Sequence, residues 1–291
     1  MSVPDADPTR TRCGTVQALV CALMLLGTAA GCAADSTARG EPSPPRPRGH
    51  AHNDYLHVHP LQDALRLGFT SVEADVFLVG GELLVGHDEA MLRSHRTLEQ
   101  LYLEPLREHF AARAAAADGS GGEPFLLLID VKRDGAAVYR ALRAVLERYR
   151  AMLTRFVGDR IEPGAVMVVL SGDRPRALLA ADGDRLMAMD GRLEDLDGDA
   201  PVTLIPLVSD AWGKHFGWDA VDLLPQDQRA RLTAYAARAR AQGRLLRFWA
   251  APDRQLAWQT LWECGVPLLN TDRLREFAAW ADGIAARPAP N

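Results

Sequence analysis

Two pairs of polar side chains interrupt apolar, strand-like runs, and the members of each pair are two residues apart. Glu73 and Asp75 lie in SVEADV, and Asp130 and Lys132 lie in FLLLIDVK. Since side chains alternate along a strand, each pair points to one face of the sheet. Three converging carboxylates repel each other, and a hard cation with oxygen ligands removes that repulsion. We therefore predict one divalent cation, Mg²⁺ or Ca²⁺, held by Glu73, Asp75 and Asp130, the alternative being an Asp130–Lys132 ion pair beside a solvated Glu73.

Histidines occupy similar positions at the ends of strand-like segments. His50 and His52 follow the first such segment, and His87 follows a short hairpin. An ordinary pKa of about 6.5 lets one imidazole deprotonate an attacking hydroxyl while a second protonates the leaving alkoxide. A surface loop position is the alternative for His87. Trp249 and Asn270 also end strand-like segments, which makes them candidates for substrate contact.

The elements that must position these residues alternate between strand and helix from Arg48 onward. Runs such as FLLLID and VMVVL are apolar on both faces, which is typical of a parallel sheet covered by helices. We predict an α/β fold with a single (β/α)8 TIM barrel, whose active site lies at the carboxyl ends of the strands. An open doubly wound sheet is the alternative. The predicted strands span residues 49–52, 70–77, 125–131, 165–171, 186–190, 202–209, 245–250 and 266–270.

Two connecting segments carry distinct local patterns. Apolar residues recur at helical spacing between Val138 and Tyr149, which predicts a helix with one buried face. The pair Gly80-Gly81 separates two apolar runs and predicts a tight hairpin after the second strand. His87 follows this hairpin.

Length and charge narrow the classes of function. The chain has 291 residues and a formal net charge of −5, with an isoelectric point near 5.9. A surface that neutralises a nucleic-acid backbone needs an excess of basic residues, which this chain lacks. We therefore expect no nucleic-acid partner. The composition makes no prediction of the oligomeric state.

The first residues have the pattern of an export signal. Arg10 and Arg12 precede an apolar run over residues 16–26, and small residues lead to Cys32 in the order typical of a bacterial lipobox. We expect an exported protein, either a cell-envelope lipoprotein lipidated at Cys32 or a secreted protein, with a membrane surface as partner in the lipidated case. The predicted organisation is a signal peptide and lipobox over residues 1–32, a Pro- and Ser-rich tether over 33–47 and the barrel over 48–291.

The runs GHAHNDY, PLQDALRLGFTSVEADV and LLVGHDE resemble the phospholipase C-like phosphodiesterase superfamily. Within it, the chain is most similar to the altered inheritance of mitochondria protein 6 group, and it also resembles glycerophosphodiester phosphodiesterases and sphingomyelinase D. The resemblance implies a metal-dependent phosphoric diester hydrolase of lipid metabolism, acting on a phospholipid or a glycerophosphodiester-like substrate. If the nucleophile is a hydroxyl of the substrate, a cyclic phosphate results.

The same resemblance implies a role for each matching residue. His50 would be the first catalytic histidine and His87 the second, although His52 competes with His50 for the first role. Asn53 would orient the site or the ligand. The glycerophosphodiesterase HRG and ENT elements are absent, so the sphingomyelinase D type of site fits better. The implied metal ligands are Glu73, Asp75 and Asp130, and the implied substrate contacts are His52, Asn53, Lys132, Trp249 and Asn270.

Two other classes of function remain open from the sequence. His50 and His52 form an H-x-H pair like that of amidohydrolases and of polymerase-and-histidinol-phosphatase phosphoesterases. That class needs further histidines at later strand ends, and the predicted fifth, sixth and eighth strands end without one. The third class is a non-catalytic envelope protein that binds a phosphorylated ligand in the barrel.

Overall fold

A computed structural model describes residues 46–116 and 123–286, apart from the side chains of 113–116. Within these residues the parallel strands alternate with helical segments along the chain, as predicted. The strands are β1 (Arg48–Ala51), β2 (Ser71–Val79), β3 (Glu82–Val85), β4 (Phe125–Val131), β5 (Arg155–Val157), β6 (Arg160–Glu162), β7 (Val166–Gly172), β8 (Asp184–Arg185), β9 (Ala188–Gly191), β10 (Leu207–Ala211), β11 (Leu245–Trp249) and β12 (Leu268–Thr271).

Eight of these strands form a nearly closed parallel barrel, which confirms the predicted fold class. Their order around the barrel is β11-β10-β9-β7-β4-β2-β1-β12. The ends of this path, β11 and β12, share no backbone ladder. They are joined instead by a side-chain hydrogen bond of 2.9 Å, from Arg247 Nη1 to Asn270 Oδ1. The barrel therefore has one seam, and side chains close it.

Helices follow the barrel strands and cover their outer faces. In α3 the residues Val138, Leu142 and Leu146 are buried, which confirms the predicted apolar stripe. No helix in the described part of the chain is long and apolar enough to cross a bilayer. The helices are α1 (Gln62–Arg66), α2 (Glu104–Ala116), α3 (Gly135–Glu147), α4 (Arg176–Ala181), α5 (Trp212–His215), α6 (Gln226–Ala241), α7 (Gln255–Glu263) and α8 (Leu274–Ala285).

The barrel interior is apolar at the amino ends of the strands and polar at their carboxyl ends. Phe156, from the small antiparallel sheet β6-β5-β8, joins the apolar cluster from outside the barrel. The polar side chains, such as Glu73 and Arg247, therefore lie above this apolar layer, at the carboxyl-terminal mouth of the barrel. The apolar cluster contains Leu126, Leu128, Phe156, Val169, Ala188, Leu207 and Leu268.

The predicted hairpin is present between β2 and β3, which pair antiparallel. Gly80 and Gly81 have φ angles of 60° and 89°, a left-handed conformation that glycine adopts without steric cost. The main-chain nitrogen of Gly86 then donates to the oxygen of Asp75 at 3.1 Å. The return strand thus places His87 beside Asp75.

The sixth barrel strand begins later than predicted, at Leu207 instead of residue 202. The nitrogens of Leu204 and Ile205 both donate to the oxygen of Pro201, which makes a helical turn. Proline is compatible with the first position of such a turn, and Pro206 lacks the N–H that would continue it. The two prolines therefore delay the strand.

A buried carboxyl group anchors the loop between β1 and α1. The nitrogen of Leu61 donates to Asp54 Oδ2 at 2.5 Å, and the hydroxyl of Tyr102 donates to the same oxygen at 2.9 Å. Burial raises the pKa of Asp54 from 3.8 to about 6. Asp54 thus fixes the loop that carries His52 and Asn53 to the helical layer. Its carboxyl group is protonated in acid and ionises as the pH rises through about 6.

We expect an Asp54→Asn variant to gain stability relative to the wild type as the pH rises. Because the folded-state pKa of Asp54 is above its ordinary value, its stabilising contribution is complete below pH 3.8 and is lost as the pH rises through about 6. The difference in unfolding free energy should change by about 2 kcal/mol in favour of the variant between pH 4 and 7. Urea titrations across this range measure it, and a difference that stays constant with pH contradicts the expectation.

Candidate active site

Three carboxylates meet at the mouth of the barrel, on the neighbouring strands β2 and β4. Asp75 and Asp130 are partners in the parallel register, so their side chains stand next to each other. Glu73 precedes Asp75 by two residues and points to the same face. One ligand oxygen from each residue lies within 4.8 Å of the other two. The structure thus brings together the three residues that the sequence predicts as cation ligands.

Two oxygens of this carboxylate cluster are buried without a hydrogen-bond partner among the described residues. Glu73 Oε2 and Asp75 Oδ1 accept no hydrogen bond from the described residues, and leaving a buried oxygen unpaired is costly. Burial and then the negative charge of Glu73 raise the pKa of Asp75, as expected when carboxylates repel. A hard divalent cation would satisfy both oxygens and remove the repulsion, so the donor set fits such an ion.

Lys132 lies between two of the carboxylates. Its Nζ is 2.6 Å from Asp75 Oδ2 and 2.7 Å from Asp130 Oδ2. Burial alone would lower the pKa of Lys132, but these two carboxylates raise it above its ordinary value. The side chain is therefore a fixed positive charge at the cavity wall, suited to contact a phosphoryl oxygen.

His52 is the histidine of the first strand end that reaches the cavity. Its Nδ1 is 2.8 Å from Asp272 Oδ1, and its Nε2 is 3.7 Å from Glu73 Oε2. Burial opposes protonation, but the hydrogen bond to Asp272 and the charge of Glu73 outweigh it and raise the pKa of His52. Asn53 Nδ2 lies 3.1 Å from His52 Nδ1. His52 is thus an oriented imidazole with a carboxylate behind it.

His50 lies deeper, fully buried beneath the cavity. Its Nε2 accepts a hydrogen bond from Arg247 Nη1 at 2.7 Å, so its Nδ1 carries the proton and donates to Ser71 Oγ at 2.6 Å. Burial, together with the positive charge of Arg247, lowers the pKa of His50 to about 3. Both ring nitrogens are therefore engaged, and His50 is neutral.

Arg247 is the centre of a buried polar network below the carboxylates. Its Nη1 also donates to Asn270 Oδ1 at 2.9 Å and lies 3.6 Å from Glu73 Oε2. Burial opposes ionisation of Glu73, but the guanidinium of Arg247 holds its pKa well below the ordinary range. The predicted substrate contact Asn270 therefore lies against Arg247 and outside the cavity lining.

His87 stands on the opposite side of Asp75, with its side chain 59% exposed. Its Nδ1 is 3.0 Å from Asp75 Oδ2, and the hydroxyl of Tyr55 donates to the same oxygen at 2.6 Å. Burial and the charge of Asp75 raise the pKa of Tyr55, so its hydroxyl keeps its proton. His87 is thus held by a carboxylate while its ring faces solvent.

These side chains surround a cavity of about 340 Å³. A larger cavity of about 400 Å³ lies beside Asp272, but its lining contains none of the three clustered carboxylates, so the smaller cavity is the candidate site. The smaller cavity is lined by His52, Asn53, Glu73, His87, Asp130, Lys132, Ser171, Gly172, Arg192, Arg247 and Trp249.

A family profile described as the AIM6-like phosphodiesterase domain matches residues 45–190, which contain the three carboxylates, Lys132 and the three histidines of the site. The chain belongs to this family. This confirms the resemblance drawn from the sequence motifs. The AIM6-like domain accounts for the first five barrel strands, and the remaining three follow the matched region.

Relatives of this AIM6-like protein include fungal proteins that cover most of the barrel. An altered inheritance of mitochondria protein 6 homolog from Arthroderma benhamiae is 32% identical, over 77% of this chain and 80% of that relative. Altered inheritance of mitochondria protein 6 from Lachancea thermotolerans is 29% identical, over 79% of this chain and 64% of that relative. The protein of the same name from Saccharomyces cerevisiae is 25% identical, over 77% and 68%.

Among solved structures, the AIM6-like barrel is similar to two glycerophosphodiester phosphodiesterases. The one from Parabacteroides distasonis has a TM-score of 0.48 and 13% identity, over 82% of this chain and 98% of that chain. The one from Agrobacterium tumefaciens has a TM-score of 0.44 and 15% identity, over 81% and 98%. The barrel fold of this chain is defined by the order and parallel pairing of its own strands.

The prediction of an exported cell-envelope lipoprotein or secreted protein is wrong. The curated relatives of this AIM6-like chain are yeast and other fungal proteins, which are eukaryotic cellular proteins and not bacterial envelope lipoproteins. The predicted signal peptide, Cys32 and the tether up to residue 45 lie outside the described residues. The membrane surface as a partner is conditional on lipidation at Cys32.

Sequence reasoning did not identify several residues of the AIM6-like site. Arg247 is two residues before Trp249 in an apolar strand, and this spacing is a signal that both point inwards. Tyr55 lies in a single 3-10 turn and Arg192 in the connection after β9, and neither segment is long enough for a periodic pattern to indicate which way a side chain points. Their roles depend on contacts between distant parts of the chain.

Proposed function

We propose that this AIM6-like domain is a cation-dependent phosphoric diester hydrolase that acts on a phospholipid or a glycerophosphodiester-like substrate. The observation that carries the proposal is the cluster of three carboxylates, of which Glu73 and Asp75 are buried with one unpaired oxygen each, beside His52, His87 and Lys132 at one cavity. This combination supplies cation ligands, an acid and base pair and a phosphate contact within one site.

Glu73, Asp75 and Asp130 would hold the cation, which we propose to be Mg²⁺ or Ca²⁺ because the donors are all carboxylate oxygens. When bound, the cation stabilises negative charge on the non-bridging phosphoryl oxygens. Lys132 supplies a second positive charge for these oxygens from its place between Asp75 and Asp130. Asp75 and Asp130 would therefore position both the cation and the ammonium group of Lys132.

The proton transfers are assigned to His52 and His87. His52 accepts the proton of the attacking water or substrate hydroxyl, while Asp272 holds the imidazole in place. As the new P–O bond forms, the bond to the leaving oxygen breaks, and His87 gives that alkoxide a proton from Nε2. The contact of His87 Nδ1 with Asp75 orients the ring for this step.

The geometry favours His52 over His50 as the first catalytic histidine. His50 is buried, and both of its ring nitrogens have partners in the network of Ser71 and Arg247. The same contacts argue against an H-x-H metal pair, because His50 Nε2 already accepts from a guanidinium. The candidate cation cluster among the described residues consists of carboxylates alone.

Cation binding gives a direct test. We expect calorimetry to detect one Mg²⁺ or Ca²⁺ per chain, and Asp130→Asn to weaken this binding by more than about 10-fold, because even groups behind a metal ligand have effects of that size. Hydrolysis of bis(p-nitrophenyl) phosphate should stop with a chelator and return when the cation is restored. Glu263→Gln, an exposed carboxylate paired with Arg229, is the matched control. Turnover that is insensitive to chelator contradicts the proposed role of the cation.

The reaction product shows which group is the nucleophile. A panel of lyso- and diacyl phospholipids and glycerophosphodiesters, followed by phosphorus NMR, distinguishes a cyclic phosphate from a linear monoester. A cyclic product assigns the attack to a hydroxyl of the substrate, and linear products throughout assign it to water. Both outcomes use the same two histidines, since each route needs one proton accepted and one donated.

A further inference from the structure

Two arginines follow neighbouring strands of the barrel, Arg174 after β7 and Arg192 after β9. Arg192 lines the cavity, and its Nη1 donates to Asp190 Oδ2 at 2.9 Å and to the oxygen of Gly191 at 2.8 Å. The same nitrogen also contacts the oxygen of Ser209. These three contacts hold the guanidinium of Arg192 against the cavity wall. Its position is therefore set before any ligand binds.

Within the part of the chain that the structure describes, Arg174 makes no ion pair, whereas Arg192 is paired with Asp190. Its Nη1 donates to the main-chain oxygen of Gly172 at 3.0 Å, and Gly172 lines the cavity. Its Nε is buried without a hydrogen-bond partner among the described residues. By contrast, the nearby Arg176 makes a 2.7 Å ion pair with Asp195. Arg174 thus lies against the end of the strand that lines the cavity, and one of its N–H donors is unpaired.

The positive charge of this pair is only partly compensated. Burial, and then the positive charge of Arg192, lower the pKa of Arg174, and the carboxylates of Asp190 and Asp195 offset this only in part. Asp195 is already paired with Arg176. Asp190 faces Arg192, but burial raises the pKa of this carboxyl. Neighbouring guanidinium groups are favourable when an oxyanion lies between them, because their planar N–H donors match its oxygens.

We propose that Arg174 and Arg192 form a second oxyanion subsite, which binds an additional acidic group of the substrate, a phosphate monoester or a carboxylate. The proposal rests on the diester hydrolase function, since the diester phosphate itself occupies the side of the cavity with Lys132 and the carboxylates. Arg192 and Lys132 line the same cavity, so one ligand can contact both sides. The substrate class is then a phosphodiester whose head group carries a further negative charge.

Matched substrates test this subsite by turnover. Glycerophosphoinositol and its 4-phosphate differ by one phosphate monoester, and glycerophosphoglycerol and its glycerate analogue differ by one carboxylate. We expect kcat/KM of the wild type to be at least about 10-fold higher for the more acidic member of one pair, as charge-assisted hydrogen bonds produce. Arg174→Gln should reduce this ratio to within about 2-fold, mainly through KM, and Arg174→Lys should retain part of it. Arg176→Gln is the matched control and should keep the wild-type ratio.

A binding experiment separates failure of the subsite from failure of the hydrolase proposal. Inorganic phosphate is titrated calorimetrically in the presence of a chelator, with thermal unfolding as the check of folding. We expect Arg174→Gln to weaken phosphate binding by at least about 5-fold and Arg176→Gln to leave it unchanged. Equal binding by the wild type and Arg174→Gln, or loss with Lys132→Gln but not with Arg174→Gln, overturns the subsite. Hydrolysis of none of the diesters, with the phosphate result as expected, overturns only the hydrolase function.

Discussion

An Arg247→Met variant is expected to unfold with a free energy about 3–5 kcal/mol lower than the wild type, because one partner of a buried ion pair is removed. The side chain of Arg247 is only 3% exposed, and Glu73 Oε2 lies 3.6 Å from its Nη1. Without the guanidinium, the carboxylate of Glu73 remains buried and uncompensated, and His50 and Asn270 each lose a donor. Urea unfolding followed by circular dichroism, in the presence of a chelator, measures the loss.

Two further variants show whether the loss comes from the unpaired charge. The double variant Glu73→Leu with Arg247→Met should recover much of the stability, since replacing both partners of a buried pair by apolar residues is often neutral. Arg229→Met removes an exposed pair with Glu263 and should cost less than about 1 kcal/mol. A cost of Arg247→Met no larger than that of Arg229→Met would show that the buried network contributes little.

The second large effect is expected in catalysis. His52→Gln should lower kcat/KM for a diester substrate by about 10²–10⁴, the usual contribution of a general acid or base. Its stability should change little, because the side chain of His52 is partly exposed and bonded to the exposed Asp272. The loss of rate should therefore appear in a folded protein with unchanged cation affinity.

The control is chosen from the other histidines. His95→Gln replaces an exposed histidine of the loop after β3 and should leave the rate unchanged. His50→Gln should instead lower the unfolding temperature, because it alters the buried contacts with Ser71 and Arg247. If folded His50→Gln loses activity while His52→Gln keeps it, the first catalytic role belongs to His50.

The carboxylate cluster could be predicted from the sequence because it depends on strand periodicity. Glu73 and Asp75 share a face of β2, and the parallel register with β4 brings Asp130 beside Asp75. The hairpin at Gly80-Gly81 was equally predictable, since its turn requires residues that adopt positive φ. These features follow from local rules that hold wherever the segment is placed.

The choice between His50 and His52 could not be made in the same way. Both residues point inwards because they are two apart, so periodicity does not distinguish them. Their difference comes from depth and from Arg247, which lies 197 positions after His50 and bonds to His50 but not to His52. The late start of β10 likewise depends on a turn between two prolines. Tertiary contacts of this kind leave no trace in a local pattern.

The seam between β11 and β12 has a consequence for the dynamics of the barrel. The side-chain bond that joins these strands comes from the same guanidinium that faces Glu73 and His50. Transient separation of β11 from β12 would therefore also disturb the buried network beneath the cavity. Amide hydrogen exchange along β11 and β12 and loss of catalytic activity should then report the same opening event.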